Sequence, residues 1–185
     1  MTPELEAAYA EPHRRYHDRR HIERCLTLLD GLADLTDGER RVLVWALWWH
    51  DAVYDPAAGD NEARSVDLAK AALREKGASL HEREEVARLI RLTAGHEVDA
   101  EDRLGELIGS IDLSILGAPP AEYDDYARNV RAEYAHVPED LWKVGRAQVL
   151  QRFLATPVIF PDPDFRARLE ATARENLARE LASLG

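Results

Sequence analysis

His50 and Asp51 are candidate functional residues, because they directly follow a long run of apolar residues. The run, residues 42–49, has no polar face, so it predicts a helix that is buried on most sides. A buried carboxylate without a partner is strongly destabilising. A metal ion would stabilise the pair, because aspartate and histidine are both metal ligands and a helix C-terminus favours a cation. The sequence therefore predicts a metal site where this helix ends.

Three more residues of ligand type fall on apolar faces of other predicted helices. His21 begins the apolar stripe of one helix, and Asp112 lies in the middle of the apolar stripe of another. His96 is expected on the inward face of a helix over residues 80–95. Taken singly, an inward histidine is often a satisfied core residue, and an aspartate can cap a turn or pair with an arginine. Facing helices build metal sites in this way, and the combination indicates metal binding.

Other polar residues are candidates for acid–base catalysis or for binding an anionic substrate. Glu62 opens the inward face of the next helix, where it could act as general acid or base. Equally, a carboxylate in a first turn simply complements the helix dipole. Arginine binds phosphate in a bidentate manner, although a single arginine is more often solvated or paired with an acid. The predicted substrate-binding residues are Arg14, His17, His96 and Arg131, and the predicted catalytic residues are Asp51 and Glu62.

The segments that must position these residues all have helical patterns. The helices are expected over residues 3–10, from 21, over 38–51, from 60 or 61 to 77, over 80–95, from 104 to 115, and over 120–135, 139–154 and 164–183. The one strand-like run, residues 158–160, is too short to form a sheet. We therefore predict an all-α fold, a single-domain helical bundle over residues 1–185. The last helix has enough apolar positions to pack on the core or on a second subunit.

Length, charge and cysteine content limit the class of protein further. A chain of 185 residues with 45% hydrophobic residues suits one domain with one core. The net charge of -11 argues against general nucleic-acid binding, so an anionic substrate would need a local basic pocket. No stretch is apolar for the roughly 20 residues of a membrane span. One cysteine and the absence of a signal-peptide pattern predict a cytoplasmic protein. The protein is expected to be a monomer or a homodimer.

The order of His21, His50-Asp51 and Asp112 resembles the H…HD…D signature of the HD-domain superfamily of metal-dependent phosphohydrolases. The local sequences are similar to one bacterial subfamily of predicted phosphohydrolases, over residues 11–22, 49–55, 60–65, 112–117, 131–134 and 145–150. This resemblance covers about residues 9–180. It implies an HD-type bundle in which these four residues bind the metal. The family often has an acidic residue two positions before the last aspartate, where this chain has Ser110.

The ligand types suggest both a metal and a reaction. Two imidazoles and two carboxylates, without a thiolate, suit one divalent ion: Mn²⁺, Fe²⁺, Co²⁺, Ni²⁺, Mg²⁺ or Zn²⁺. The predicted function is hydrolysis of a small phosphate ester or phosphoanhydride, such as a nucleotide, by metal-activated water. His96 is expected near the metal or the phosphate rather than at a second ion. Two alternatives are a non-catalytic metal- or nucleotide-binding regulatory module of the same fold, and a structural helical protein whose inward polar groups pair with each other.

Overall fold

A computed structural model describes residues 2–96, 98–99 and 101–185, and these residues form α-helices with no β-strand. The all-α class predicted from the sequence is confirmed. Within the described ranges, none of the helices combines the length and the apolar character needed to cross a membrane. The helices are α1 (Pro3–Tyr9), α2 (Arg19–Asp30), α3 (Asp37–Trp49), α4 (Asn61–Glu75), α5 (Leu80–Leu92), α6 (Arg103–Asp112), α7 (Pro120–Glu133), α8 (Glu139–Ala155) and α9 (Pro163–Ser183), and a 3₁₀ turn, Leu113–Gly117, follows α6.

Capping residues set where several helices begin. Asp18 accepts a hydrogen bond from a backbone N–H in the first turn of α2. Thr36 and Glu39 form a capping box at the start of α3, and Ser79 and Glu82 form another at the start of α5. In each box the side chains satisfy backbone N–H groups that have no partner within the helix. These local contacts define the first turns of the helices that carry the site.

Helix α3 is the central helix, and it packs against α2, α4, α5 and α6. Leu43, Ala46 and Leu47 are fully buried, while Trp45 and Trp48 are half-buried and pack on the outside of the core. The prediction of a helix buried on most sides is therefore confirmed. The two residues that follow α3 are carried to the centre of the molecule.

The last helix anchors the turn that follows α6. Asn176 of α9 is fully buried, and its side-chain amide donates hydrogen bonds of 2.9 Å to the carbonyl oxygens of both Leu116 and Ala118. The backbones approach closely, because a Cβ added at Gly117 would lie 2.6 Å from the Cβ of Leu169. The final helix thus packs on the core of its own chain, the first of the two predicted possibilities.

Two predicted helix ends are wrong. Helix α5 ends at Leu92, so His96 does not lie on its inward face but follows the helix with a left-handed backbone, φ 54°. Its N–H donates to the Leu92 carbonyl at 2.8 Å, which closes the helix end as a left-handed C-cap does. Asp112 is the last residue of α6 rather than the middle of a stripe, because the chain tightens there into the 3₁₀ turn.

The close approach at Gly117 predicts a stability difference between two glycine substitutions. Gly117→Ala should lower the free energy of unfolding by about 1–3 kcal/mol, because the new methyl group must displace α9. Gly145→Ala, in α8, should raise it by up to about 1 kcal/mol, since nothing lies within 4 Å of the added Cβ and alanine favours a helix. Urea denaturation followed by circular dichroism measures both. Equal stability of Gly117→Ala and wild type would contradict the packing described.

Candidate metal centre

The side chains of His21, His50, Asp51 and Asp112 meet at the junction of α2, α3 and α6. His21 Nε2 lies 3.3 Å from His50 Nε2, 3.0 Å from Asp112 Oδ1 and 3.7 Å from Asp51 Oδ2. His50 Nε2 lies 3.1 Å from Asp51 Oδ2 and 3.4 Å from Asp112 Oδ1. The histidine side chains are 2% exposed, whereas those of Asp51 and Asp112 are 18% and 14% exposed. The four predicted ligands therefore come together, and solvent reaches the group from the carboxylate side.

The spacing of these atoms fits a single bound cation. Ligand atoms at about 2.1 Å from an ion lie about 3.0 Å apart at octahedral angles and about 3.4 Å apart at tetrahedral angles. The distances between the four side chains, 3.0–3.7 Å, cover this range. Nitrogen and oxygen donors of this kind suit a divalent ion of the first transition row, or Mg²⁺. The group could hold a metal ion, as the sequence predicted.

Neighbouring groups orient two of these ligands. The carbonyl oxygen of Leu47, one turn earlier in α3, lies 2.9 Å from His50 Nδ1. Because a carbonyl only accepts, Nδ1 carries the proton, and Nε2 of the neutral ring directs a lone pair into the group. His96 Nε2 donates to Asp112 Oδ2 at 2.9 Å, which leaves Oδ1 facing the two histidines. His96 thus supports Asp112, a role that the buried Ser110 does not fill, because its hydroxyl accepts from the N–H of Asp162.

The electrostatics of the group show that it attracts positive charge. Burial disfavours charge on His50, but the carboxylates of Asp51 and Asp112 outweigh burial and hold the pKa of His50 well above its usual value. Burial likewise disfavours the charged carboxylates, but the histidines, His50 foremost, lower the pKa of both aspartates. The two carboxylates therefore stay ionised at neutral pH. A divalent cation would supply the positive charge that they require.

Cys25 lies beside this group but is a poor ligand. Its sulfur is 3.9 Å from both ring nitrogens of His21, so it packs against the ring instead of facing Nε2. Burial, together with the carboxylates of Asp112 and Asp51, raises the pKa of the Cys25 thiol well above its usual value. Metals bind the thiolate, not the thiol. The nitrogen and oxygen ligands are therefore the better set.

Arg14 holds the backbone of Asp51, one of the predicted metal ligands, from inside the protein. Its side chain is fully buried, and its Nη1 donates to the carbonyl oxygens of Asp51 at 2.7 Å and His17 at 3.0 Å. Its Nη2 donates to the Ala52 carbonyl at 3.2 Å, and its Nε donates to Glu11 at 2.9 Å. All three nitrogens are thus bound to protein oxygens. The structure places this predicted phosphate ligand where it joins the loop before α2 to the loop after α3.

His17 belongs to a second cluster, next to the metal centre and organised by Glu133. His17 Nδ1 donates to Glu133 Oε2 at 2.7 Å, and the His17 ring stacks on Tyr54 with 4.2 Å between centroids. The Tyr54 hydroxyl donates to the same oxygen at 2.9 Å. Glu133 Oε1 accepts from the backbone N–H groups of Arg15, Tyr16 and His17 at 2.7, 2.7 and 2.9 Å. Burial would raise the pKa of Glu133, but these hydrogen bonds hold it at about 2.

Arg131 and Glu62 have no contact with the metal centre. Arg131 donates to the carbonyl oxygens of Tyr134 at 2.7 Å and Val137 at 3.2 Å, and it pairs with Glu139 at 3.0 Å, so it joins α7 to α8. Glu62 is partly exposed in the first turn of α4 and forms no hydrogen bond or ion pair with any residue that the structure describes. Its position favours the helix-dipole interpretation over acid–base catalysis.

Glu133 is the functional residue that we did not predict from the sequence. It is 4% exposed, at the end of α7. A signal was present, because Tyr123, Tyr126, Val130 and Glu133 recur at helical spacing and place an acid at the end of an inward-facing stripe. Asp112 was identified in this way, as an acidic residue within an apolar stripe.

No family model matches this chain, and neither a curated protein nor a solved structure matches it. The resemblance to the HD-domain superfamily therefore depends on the residues of this chain alone.

Removing one ligand should abolish metal binding without unfolding the protein. We expect Asp51→Ala to weaken Mn²⁺ binding by at least about 100-fold, because the second carboxylate alone cannot balance the ion. The helical fold should remain, since the change removes a buried charge from the metal-free protein. Elemental analysis and isothermal titration measure binding, and circular dichroism measures the fold. The control is Asp67→Ala, an exposed aspartate on α4; wild-type affinity in Asp51→Ala would rule out the ligand set.

Proposed function

We propose that this protein is a metal-dependent phosphohydrolase that cleaves a small phosphate ester or phosphoanhydride, such as a nucleotide. The observation that carries the proposal is the convergence of two histidines and two aspartates, open to solvent on the carboxylate side, beside the His17–Glu133 pair. The resemblance of His21, His50-Asp51 and Asp112 to the HD-domain signature supports the same reaction class. The single cysteine and the acidic composition further favour a cytoplasmic enzyme with a small substrate rather than a nucleic acid.

The four ligands and the second cluster would have separate tasks. A divalent ion, when bound by His21, His50, Asp51 and Asp112, supplies a more acidic water and offsets negative charge on a phosphoryl oxygen. His96 keeps Asp112 oriented through its hydrogen bond to Oδ2. Arg14 keeps Asp51 in place through the backbone. Hydrolysis then requires a proton donor for the oxygen of the leaving group.

His17 is suited to donate that proton. Its Nδ1 is held by Glu133 and its ring face by Tyr54, so Nε2 is the ring nitrogen that remains for a substrate. Its side chain is 24% exposed and lies 6.1 Å, between ring centroids, from the ligand His21. Burial would lower the pKa of His17, but the hydrogen bond and charge of Glu133, with the charges of Asp51 and Asp112, raise it. These groups therefore favour the protonated ring, which is the form that a general acid requires.

Charge compensation for the phosphate would come from the metal ion and His17. The predicted phosphate ligands Arg14 and Arg131 instead donate to protein oxygens. On a protein with a net charge of -11, the ion and His17 would be the cations that the phosphate contacts.

A turnover screen tests the proposed function. Purified protein, loaded in turn with Mn²⁺, Co²⁺, Ni²⁺ and Mg²⁺, is assayed for phosphate release from nucleotides, sugar phosphates and 4-nitrophenyl phosphate. We expect turnover with at least one metal, and its loss on chelation and in Asp51→Ala. Stoichiometric metal and tight nucleotide binding without phosphate release would favour a regulatory module. Absence of bound metal would favour the structural alternative.

The His17–Glu133 pair predicts a pH dependence of turnover. His17 must be protonated to act, so kcat should fall as pH rises through its raised pKa. Glu133→Gln removes the charge that raises this pKa, so the fall should occur at a pH lower by about one unit. His17→Ala should reduce kcat by about 100-fold or more while metal affinity stays within a few-fold of wild type. A pH–rate profile at saturating Mn²⁺ measures this, and an unchanged profile in Glu133→Gln would contradict the assigned role.

A further inference from the structure

A cavity of about 460 Å³ lies beside His17, and we call it the aromatic pocket. This volume is within the range of pockets that hold small organic ligands. Most of the lining comes from α7, α8 and the connection between them. The lining residues that matter below are His17, Tyr54, Tyr126, Tyr134, Trp142 and Arg146.

The aromatic pocket adjoins the metal centre through His17, which lines the pocket and lies 6.1 Å from His21 between ring centroids. His17 forms part of its wall, and the carboxylates of Asp51 and Asp112 are close enough to raise the pKa of that same histidine. On the other side of His17, the wall residue Tyr126 contacts Tyr16 edge to face at 4.6 Å between ring centroids. Tyr16 in turn lies 5.0 Å from His21. His17 is therefore the residue that a ligand would contact if it occupied both the metal centre and this pocket.

The walls of the aromatic pocket are shaped for a flat ring. Tyr134 and Trp142 lie 5.3 Å apart between centroids at 41°, and both are partly exposed. Tyr54 also lines the pocket, and its ring stacks on His17. Gly145 also lines the pocket, and nothing lies within 4 Å of a Cβ built on it. A planar group could therefore approach the backbone of α8 closely while stacking on aromatic faces.

The charge of the aromatic pocket indicates that its ligand group is neutral. Two basic residues lie in its wall, and each is paired with an acid: His17 donates to Glu133, and Arg146, 7% exposed, donates to both carboxylate oxygens of Glu180 at 2.7 and 2.9 Å. The Tyr123 hydroxyl also donates to Glu180, which completes a satisfied ion pair. Arg146 is thus neutralised within the protein. A phosphate belongs at the metal centre, and an uncharged ring system belongs in the pocket.

We propose that the aromatic pocket binds the base of a nucleoside phosphate, so that the substrates are nucleotides rather than sugar phosphates. This inference rests on the proposed function for the reaction, but the binding of the base does not require turnover. A second copy of the chain is the competing occupant, because α8 also exposes Leu141 and Val144, at 61% and 60%. The test below distinguishes these occupants.

The first arm of the test measures binding without chemistry. Adenosine and ribose are titrated into metal-free protein by isothermal titration calorimetry. We expect adenosine to bind and ribose not to bind, and Trp142→Ala to weaken adenosine by about tenfold or more through lost stacking. Trp142→Phe should retain most of the affinity. Val144→Ala, on the same helix outside the pocket lining, should behave as wild type, and circular dichroism confirms that each variant is folded.

The second arm uses the metal-loaded enzyme and a matched pair of substrates. With Mn²⁺, kcat/KM should be about tenfold or more higher for adenosine 5′-monophosphate than for ribose 5-phosphate. Trp142→Ala should raise KM for the nucleotide and leave kcat/KM for ribose 5-phosphate unchanged. Phe153→Ala serves as a control, because Phe153 lines a separate cavity beside His96.

The two arms separate failure of the inference from failure of the proposed function. Absence of adenosine binding to the wild type would overturn the inference, whatever the turnover. Loss of adenosine affinity in Phe153→Ala but not in Trp142→Ala would also overturn it. A dimer in sedimentation velocity that both Trp142→Ala and Val144→Ala dissociate, without adenosine binding, would assign the surface to a second copy. Adenosine binding without any phosphate release would support the pocket and reject the phosphohydrolase.

Discussion

Two carboxylates held inside a largely apolar bundle are the constraint on which the rest of this structure depends. Asp51 and Asp112 lie at the ends of different helices. Neutral histidines carry no charge, so His21 and His50 in their neutral forms do not balance the two carboxylates. A proton on His50 or a divalent cation would resolve this excess, so protons and a metal ion would compete for the same group. The group could therefore hold a cation, whatever reaction follows.

The groups around the site are organised by charged residues that face inward. Arg14 and Glu133 are both buried. Glu133 accepts from three backbone N–H groups of the segment before α2, and Arg14, which belongs to that segment, donates to three backbone carbonyl oxygens. Buried charges of this kind are stable only when their hydrogen-bonding capacity is satisfied. One consequence is that the segment carrying His17 has a defined conformation without a ligand. In the proposed function, the predicted metal ligands and His17 are thus positioned before a substrate binds.

Much of the fold and the core of the site could be predicted from residue patterns, because burial leaves a periodic signal in the sequence. Three helices and the four predicted ligands could be found from two kinds of pattern: the apolar run before His50, and the apolar stripes around His21 and Asp112. The backbone of His96 could not be predicted, since it depends on how α5 ends. The partners of Arg14 could not be predicted either, because a guanidinium group donates to phosphate oxygens and to carbonyl oxygens alike. The role of Glu133 could not be predicted from its place in an inward-facing stripe, because the backbone groups that it binds lie 116 to 118 positions away.

The distribution of the four ligands along the chain has a consequence for biosynthesis. Protein synthesis releases the N-terminus first. His21, His50 and Asp51 therefore emerge from the ribosome well before Asp112, which is the last residue of α6. Glu133, the last residue of α7, follows later still. If these four residues bind a cation, its full coordination would become possible only after most of the polypeptide has been made.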